Sequence, residues 1–219
     1  MINVVILAAG LGKRMHSSLP KVLQPLAGRP MISHVLSAVQ TVKDVAKTVV
    51  VVGHKAEEVK ATLAGFDNVE YALQEPQLGT GHALQQALPL LDPAAETTLV
   101  LLGDVPLIQP ETIERLRDAA GDGMALLTTV LRNPTGYGRI LRQRGRIVAI
   151  VEQKDATEGQ KQIREVNTGI MLFPTARLSG WLSELKPANA QAEYYLTDVI
   201  GLAVRDGVRI NSARPRRSF

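Results

Sequence analysis

The sequence predicts an α/β fold, with a mixed, mostly parallel sheet flanked by helices and an antiparallel subregion added in its second half. Three observations predict it. Apolar, β-branched runs at residues 4–7, 48–52 and 98–102 read as strands buried on both faces. Stretches with apolar residues at helical spacing, such as Ile32, Val35, Leu36 and Val39, alternate with them. After residue 130 the alternation yields to a glycine-rich loop and two strands folded over Arg144-Gly145, the pattern of a hairpin rather than of another βαβ unit.

The first strand, residues 4–7, turns abruptly into Ala8-Ala9-Gly10-Leu11-Gly12-Lys13-Arg14-Met15. Small side chains let a nucleotide approach backbone N–H groups closely, and Lys13, Arg14 and then Lys21 would balance its charge. This is a candidate phosphate loop; a plain strand-to-turn junction with solvated cations is the other reading. Two familiar glycine motifs do not fit. The dinucleotide fingerprint G-x-G-x-x-G meets Met15 at its third glycine and lacks a following acidic residue, which weighs against a nicotinamide-dependent oxidoreductase. A Walker loop would need glycine where Leu7 stands and Ser or Thr where Arg14 stands.

Pro20, Pro25, Gly28 and Pro30 punctuate residues 17–30 into a long irregular loop. A helix over 31–42, a strand over 48–52, a helix over 57–63 and a strand over 69–72 follow. The polar loop Gln74-Glu75-Pro76-Gln77-Leu78-Gly79-Thr80-Gly81-His82 precedes a helix over 83–88, with Thr80 in its N-cap region. This loop would offer backbone donors at a helix N-terminus, a second candidate ligand loop, unless Gly79-Thr80-Gly81 is an ordinary tight turn. The strand 98–102 ends in Gly103-Asp104-Val105-Pro106. A carboxylate just past the C-terminal end of a buried strand stands where open α/β sheets bind ligands, so Asp104 is the metal candidate, or else it starts the next turn.

Pro110 opens a helix over 111–119, and residues 124–130 form the next strand. Pro134-Thr135-Gly136-Tyr137-Gly138-Arg139 is a rigid loop before the two strands within 140–151, which end at Glu152. A strand over 166–173 carries Asn167-Thr168-Gly169, and a helix over 175–185 carries Trp181 as a core residue. Glu193-Tyr194-Tyr195-Leu196-Thr197-Asp198 leads into a helix ending near 205, and a last strand spans 208–212.

At 219 residues and 45% hydrophobic content the chain can bury one sizeable core, and one domain is expected over 1–219. Its nucleotide half would be about 1–110, its acceptor half about 111–212, with a basic tail over 213–219. No apolar run reaches 18 residues and the first strand begins at once, so neither a membrane span nor a signal peptide is expected, and the location expected is cytoplasmic. With no Cys and four scattered His, disulfides, thiolate metal sites and a zinc pattern are excluded, leaving a hard cation on oxygen ligands. A net charge of +4 suits anionic small molecules, whereas 4% aromatics and no basic stripe argue against nucleic acid. No hexapeptide repeat of a β-helix occurs.

Taken in order, Leu7-Ala8-Ala9-Gly10-Leu11-Gly12-Lys13-Arg14-Met15, Leu19-Pro20-Lys21, Gln77-Leu78-Gly79-Thr80-Gly81-His82, Gly103-Asp104-Val105-Pro106, Pro134-Thr135-Gly136-Tyr137-Gly138-Arg139-Ile140, Val151-Glu152, Asn167-Thr168-Gly169 and Glu193-Tyr194-Tyr195 form one constellation. From about residue 2 to about 212 it resembles the N-terminal uridyltransferase domain of the bacterial bifunctional N-acetylglucosamine-1-phosphate uridyltransferase and glucosamine-1-phosphate acetyltransferase. The resemblance implies a Rossmann-like nucleotidyltransferase fold. It also implies uridylyl transfer from UTP to N-acetylglucosamine 1-phosphate with Mg²⁺, a step toward peptidoglycan and lipopolysaccharide precursors.

Residue by residue, the resemblance implies that Leu7, Ala8, Ala9, Gly10 and Lys21 meet the nucleotide, that Gln74, Gly79 and Thr80 select uracil, and that Leu102, Gly103 and Asp104 face ribose, phosphates and metal. Gly138, Glu152, Asn167 and Tyr195 would hold the sugar, with Arg14 and Lys21 as the catalytic cations. Lys13, Leu102 and Ala192 stand where the family often has Thr, Tyr and Gly. The family continues with an Asn-bearing segment that supplies a second magnesium ligand and with a trimerising β-helix for acetyl transfer. For this chain, then, a monomer without acetyltransferase activity is expected, with binding of UTP or UDP-sugar at little turnover as the alternative.

Overall fold

The computed structural model describes residues 1–10, 12 and 17–215. Strand β1 (Ile2–Leu7) lies at the centre of a nine-stranded sheet. Two short strands, β2 (Pro25–Leu26) and β3 (Arg29–Pro30), pair separately within the proline-punctuated stretch. Helix α1 (Met31–Val39) leads to β4 (Val45–Val52), α2 (Ala56–Thr62) to β5 (Val69–Leu73), and α3 (Thr80–Ala87) to β6 (Thr97–Leu102). Then come α4 (Pro110–Ala120), β7 (Met124–Val130), β8 (Arg139–Gln143), β9 (Arg146–Val151), α5 (Glu158–Lys161), β10 (Glu165–Pro174), α6 (Thr175–Glu184), α7 (Val199–Arg205) and β11 (Ile210–Ala213).

The order across the sheet is β11-β7-β10-β6-β1-β4-β5, with the β8–β9 hairpin attached to β10. β6, β1, β4 and β5 are parallel neighbours, whereas β10 runs antiparallel to both β6 and β7. The mixed, mostly parallel architecture and the antiparallel addition are therefore as the sequence predicts. Alternation along β1 builds the two layers: Ile2, Val4 and Ile6 join the core beneath α1, α2 and α4, while Val5 joins the core shared by α3, α6, α7 and the hairpin. Trp181 is buried in the second core, and its indole N–H donates to Asp206 Oδ2 at 2.9 Å, which satisfies the one polar atom of a large apolar group.

Parallel strands put their C-terminal ends at one edge, so the loops after β1, β4, β5 and β6 gather there. Backbone bonds extend the ladder into those loops: Ala8 N donates to Val51 O (2.9 Å), Gly103 N to Leu7 O (2.9 Å) and Gln74 N to Val52 O (2.8 Å). The reversed β10 brings its N-terminal half to the same edge, and its register against β7 breaks between Asn167 and Met171. The hairpin is fastened to β10 a second time by Arg142, whose guanidinium donates twice to Glu165 at 2.8 Å and holds that carboxyl below its usual range.

Some boundaries differ from the sequence reading. The helix expected over 31–42 ends at Val39, β4 begins three residues earlier than expected, and α3 begins at Thr80 rather than 83. Helix α5 is additional; Thr157 and Gln160 form a capping box there, a signature visible in the sequence. Among the described residues no helix is long and apolar enough to cross a membrane.

Phe173 lies fully buried in β10 between two partner strands. Phe173→Ala should lower the unfolding free energy by about 3–5 kcal/mol through lost burial and the cavity left behind. Urea unfolding with an unchanged m-value checks this; a loss under about 1 kcal/mol would mean that the layer collapses to fill the space.

Candidate active site

At the edge where the parallel strands end, Ala8 and Ala9 are buried, Leu7 is half-buried and Gly10 is exposed. Lys21 sits in the 3₁₀ turn Lys21–Leu23, and its ammonium forms an ion pair with Asp104, two residues past β6. Both partners keep part of their surface in solvent, so the pair can be opened by a competing ligand at modest cost. Arg14 and Lys13 lie outside the described residues, as do Arg216 and Arg217 of the basic tail. Leu102, half-buried at the end of β6, packs over Gly169: a Cβ built there would stand 2.6 Å from Leu102 Cδ1.

The loop after β5 is tied to the segment after α6. Gln74 is buried, with its amide donating to Gly79 O (2.9 Å) and lying 3.1 Å from His82 Nδ1. Tyr194 N donates to Leu78 O (2.8 Å), and Gly81 N donates back to Tyr194 O (2.7 Å). Gly79 has φ +112°, and a Cβ there would fall 2.7 Å from Tyr194 O, so both its conformation and its neighbour require glycine. The sequence reading places Thr80 at a helix cap. Instead Gly79 occupies the N-cap, and the Thr80 hydroxyl accepts from Leu196 N (3.1 Å). The Gly81 N–H, one of the donors expected at this helix start, is likewise consumed within the fold.

The second half brings Gly138, Glu152 and Asn167 together, with Tyr195 nearby in the chain segment that reaches them. Asn167 N donates to Gly138 O (2.9 Å), and the Asn167 side chain accepts from Gly169 N (3.0 Å). A Cβ on Gly138 would meet Ile150 at 2.9 Å and Glu152 Oε1 at 3.2 Å, so the glycine leaves that carboxylate room. Glu152 accepts from Thr197 Oγ1 (3.1 Å), two residues beyond Tyr195. Burial pushes the Glu152 carboxyl above its usual range; the Thr197 hydrogen bond opposes this, and Asp155 and Asp198 add to it. Tyr195 is buried and its hydroxyl accepts from Gln191 Nε2 (2.7 Å). Thr197 escapes sequence reasoning as a site residue, although its place just after Tyr195 was the available signal.

Known proteins agree on the fold and the class. The MobA-like NTP transferase domain family matches residues 4–169. The chain is 59% identical over 216 residues to a bifunctional protein GlmU of Paraburkholderia phymatum, across 98% of this chain and 47% of that protein. It is 56% identical over 223 residues to a bifunctional protein GlmU of Bordetella parapertussis, across 100% and 49% of the two. The chain thus spans about half the length of the curated relatives it matches. A solved putative glucose-1-phosphate thymidylyltransferase of Bacillus anthracis, in complex with a sucrose, aligns with TM-score 0.76 at 23% identity over 98% of this chain and 87% of that one. A UDP-glucose pyrophosphorylase complexed with UDP-glucose aligns with TM-score 0.78 at 19% identity over 98% and 90%. At these identities the structural likeness is one of fold.

The desolvated Glu152 gives a pH test. The folded protein holds this proton to higher pH than the unfolded chain, so its stability contribution is lost as pH rises from the ordinary carboxylate range through the raised value. Glu152→Gln keeps an oxygen for Thr197 and removes the titration. Urea midpoints of variant and parent should converge near about pH 4 and separate in the variant's favour toward neutrality. Parallel midpoints at every pH would show that the carboxylate is not held out of water.

Proposed function

Because the chain belongs to the MobA-like NTP transferase family and matches the nucleotidyltransferase portion of the bifunctional GlmU proteins, we propose that it transfers a uridylyl group from UTP to N-acetylglucosamine 1-phosphate, releasing pyrophosphate. The observation that carries this reading is the backbone exchange around Tyr194, which hangs the Gly138, Glu152, Asn167 and Tyr195 group from the loop that would read the base. An acceptor half physically tied to a nucleotide half suits a two-substrate transfer between anions.

A phosphate oxygen of the acceptor attacks the α-phosphorus of UTP; the new P–O bond forms as the bond to the leaving pyrophosphate breaks. No protein nucleophile is required, so the work is alignment and charge neutralisation. Ala8, Ala9 and Gly10 admit the triphosphate to the backbone beside Leu7, while Arg14 and Lys21 balance its charge in the transition state. Gln74, Gly79 and Thr80 fit the base, and Leu102 and Gly103 border the ribose. Glu152, with Gly138, Asn167 and Tyr195, presents hydrogen-bonding groups to the sugar. Asp104 is a part-exposed oxygen donor at a strand end, which fits a Mg²⁺ otherwise held by substrate phosphates. Bound there, Mg²⁺ would neutralise phosphate charge. The reaction would take place in the cytoplasm and supply precursors of cell-wall polymers.

Two measurements test this reading. Pyrophosphate release should be faster with N-acetylglucosamine 1-phosphate than with glucose 1-phosphate, by on the order of 10²-fold in kcat/KM, since buried polar groups left unpaired penalise the wrong acceptor. Equal values would remove the acceptor assignment. Asp104→Asn should raise the Mg²⁺ concentration needed for half-maximal rate by about tenfold or more, as one charged ligand is lost; an unchanged magnesium titration would take Asp104 out of the metal site.

A further inference from the structure

Arg139 stands where the β8–β9 hairpin joins the main sheet, opposite Val151 on one side and Val166 on the other. Its side chain is only 1% exposed. Among the described residues every acceptor it reaches is neutral: Tyr137 O from Nη1, Gln153 Oε1 from Nη2 at 2.7 Å, and Lys161 O at 3.4 Å. Its Nε has no partner and is the one such buried side-chain atom among the described residues. A buried cation without a carboxylate is costly, and an apolar residue like Ile140, Ile147 or Ile150 of the same hairpin would be the more stabilising occupant.

What the guanidinium secures is geometry. Nη1 holds the carbonyl of Tyr137, the residue just before Gly138, while Nη2 holds Gln153, the residue just after Glu152. The same Gln153 oxygen also accepts from Gly136 N at 3.1 Å. One planar fork therefore splints both flanks of the Gly138–Glu152 contact, and Asn167 bonds the Gly138 carbonyl from the third side. We propose that Arg139 is a positioning residue for the sugar moiety, fixing the spacing between the Gly138 loop and the Glu152 carboxylate through Gln153. The inference rests on the acceptor reading given above. A lysine cannot reproduce the fork, because an ammonium is a point donor on a flexible stem.

The test compares binding of UDP with binding of UDP-N-acetylglucosamine by calorimetry, for the parent, Arg139→Lys and Gln153→Ala. The parent should prefer the sugar nucleotide. Arg139→Lys should keep its UDP Kd within about twofold and lose about tenfold or more of that preference, the worth of one charge-assisted hydrogen bond. Gln153→Ala should lose preference in the same direction, since it removes the acceptor shared by Arg139 and Gly136. A merely structural role would lower Tm and weaken both ligands alike, and that result overturns the proposal. If Arg139→Lys fails to fold, Gln153→Ala decides: a lost preference supports the positioning role and a parental preference overturns it. A parent that binds UDP and UDP-N-acetylglucosamine equally would instead overturn the acceptor reading, and the inference with it.

Discussion

The reciprocal pair of backbone bonds between Tyr194 and the Leu78–Gly81 loop is the constraint on which the site depends. It ties the loop after β5 directly to the chain segment that leads to Glu152 through Thr197. The pair is possible because Gly79 has no Cβ and takes a φ closed to other residues; any side chain there would strike the Tyr194 backbone. Thr80 reinforces it with a third bond to Leu196, and one residue further Thr197 reaches Glu152. Polar contacts one residue apart in the chain thus lead from the helix start at Thr80 to the half-buried carboxylate of Glu152.

The edge proposed to meet the nucleotide obeys a different logic. Its backbone continues the sheet's hydrogen-bond ladder, with Ala8 donating to Val51 and Gly103 to Leu7. Its charged groups are less committed, since Lys21 and Asp104 satisfy each other while remaining part-exposed. An exposed pair of this sort contributes little to stability. The two groups are thereby held close without being locked, a sensible state for residues proposed to divide a phosphate and its counter-cation between them.

The sheet was legible because its signal is redundant: β1, β4 and β6 are long apolar runs, and each is punctuated by glycine or proline before the next helix. The candidate site residues were assigned through ordered short motifs that resemble a known family, and the structure gathers Gly138, Glu152 and Asn167. What the sequence could not convey is how hydroxyls and amides are spent. Thr80 reads as a cap from its position before a helix, yet a backbone N–H from residue 196 claims its oxygen. Such a partner is far away in sequence and carries no local pattern. The end of α1 at Val39 and the start of α3 at Thr80 shifted for a related reason, since helix termini follow local hydrogen-bonding choices more than periodicity.

Glu152 and Arg139 pose the remaining physical question, because a half-buried carboxylate just past β9 and a buried guanidinium on β8 lie close with no ion pair between them. Pairing would relieve both desolvation costs. It would also spend the carboxylate oxygens that a ligand's hydroxyl or amide could use, and draw Glu152 against the hairpin. Gln153 intervenes instead: it neighbours Glu152 in the chain and offers the guanidinium a neutral oxygen. Among the described residues the carboxylate's one side-chain hydrogen bond comes from Thr197, and Gly138 spares its flank a Cβ that would stand 3.2 Å from Oε1. Among the described residues the fold thus leaves both charges without an ion pair, and it is the Gln153 amide rather than the Glu152 carboxylate that takes the guanidinium's hydrogen bond.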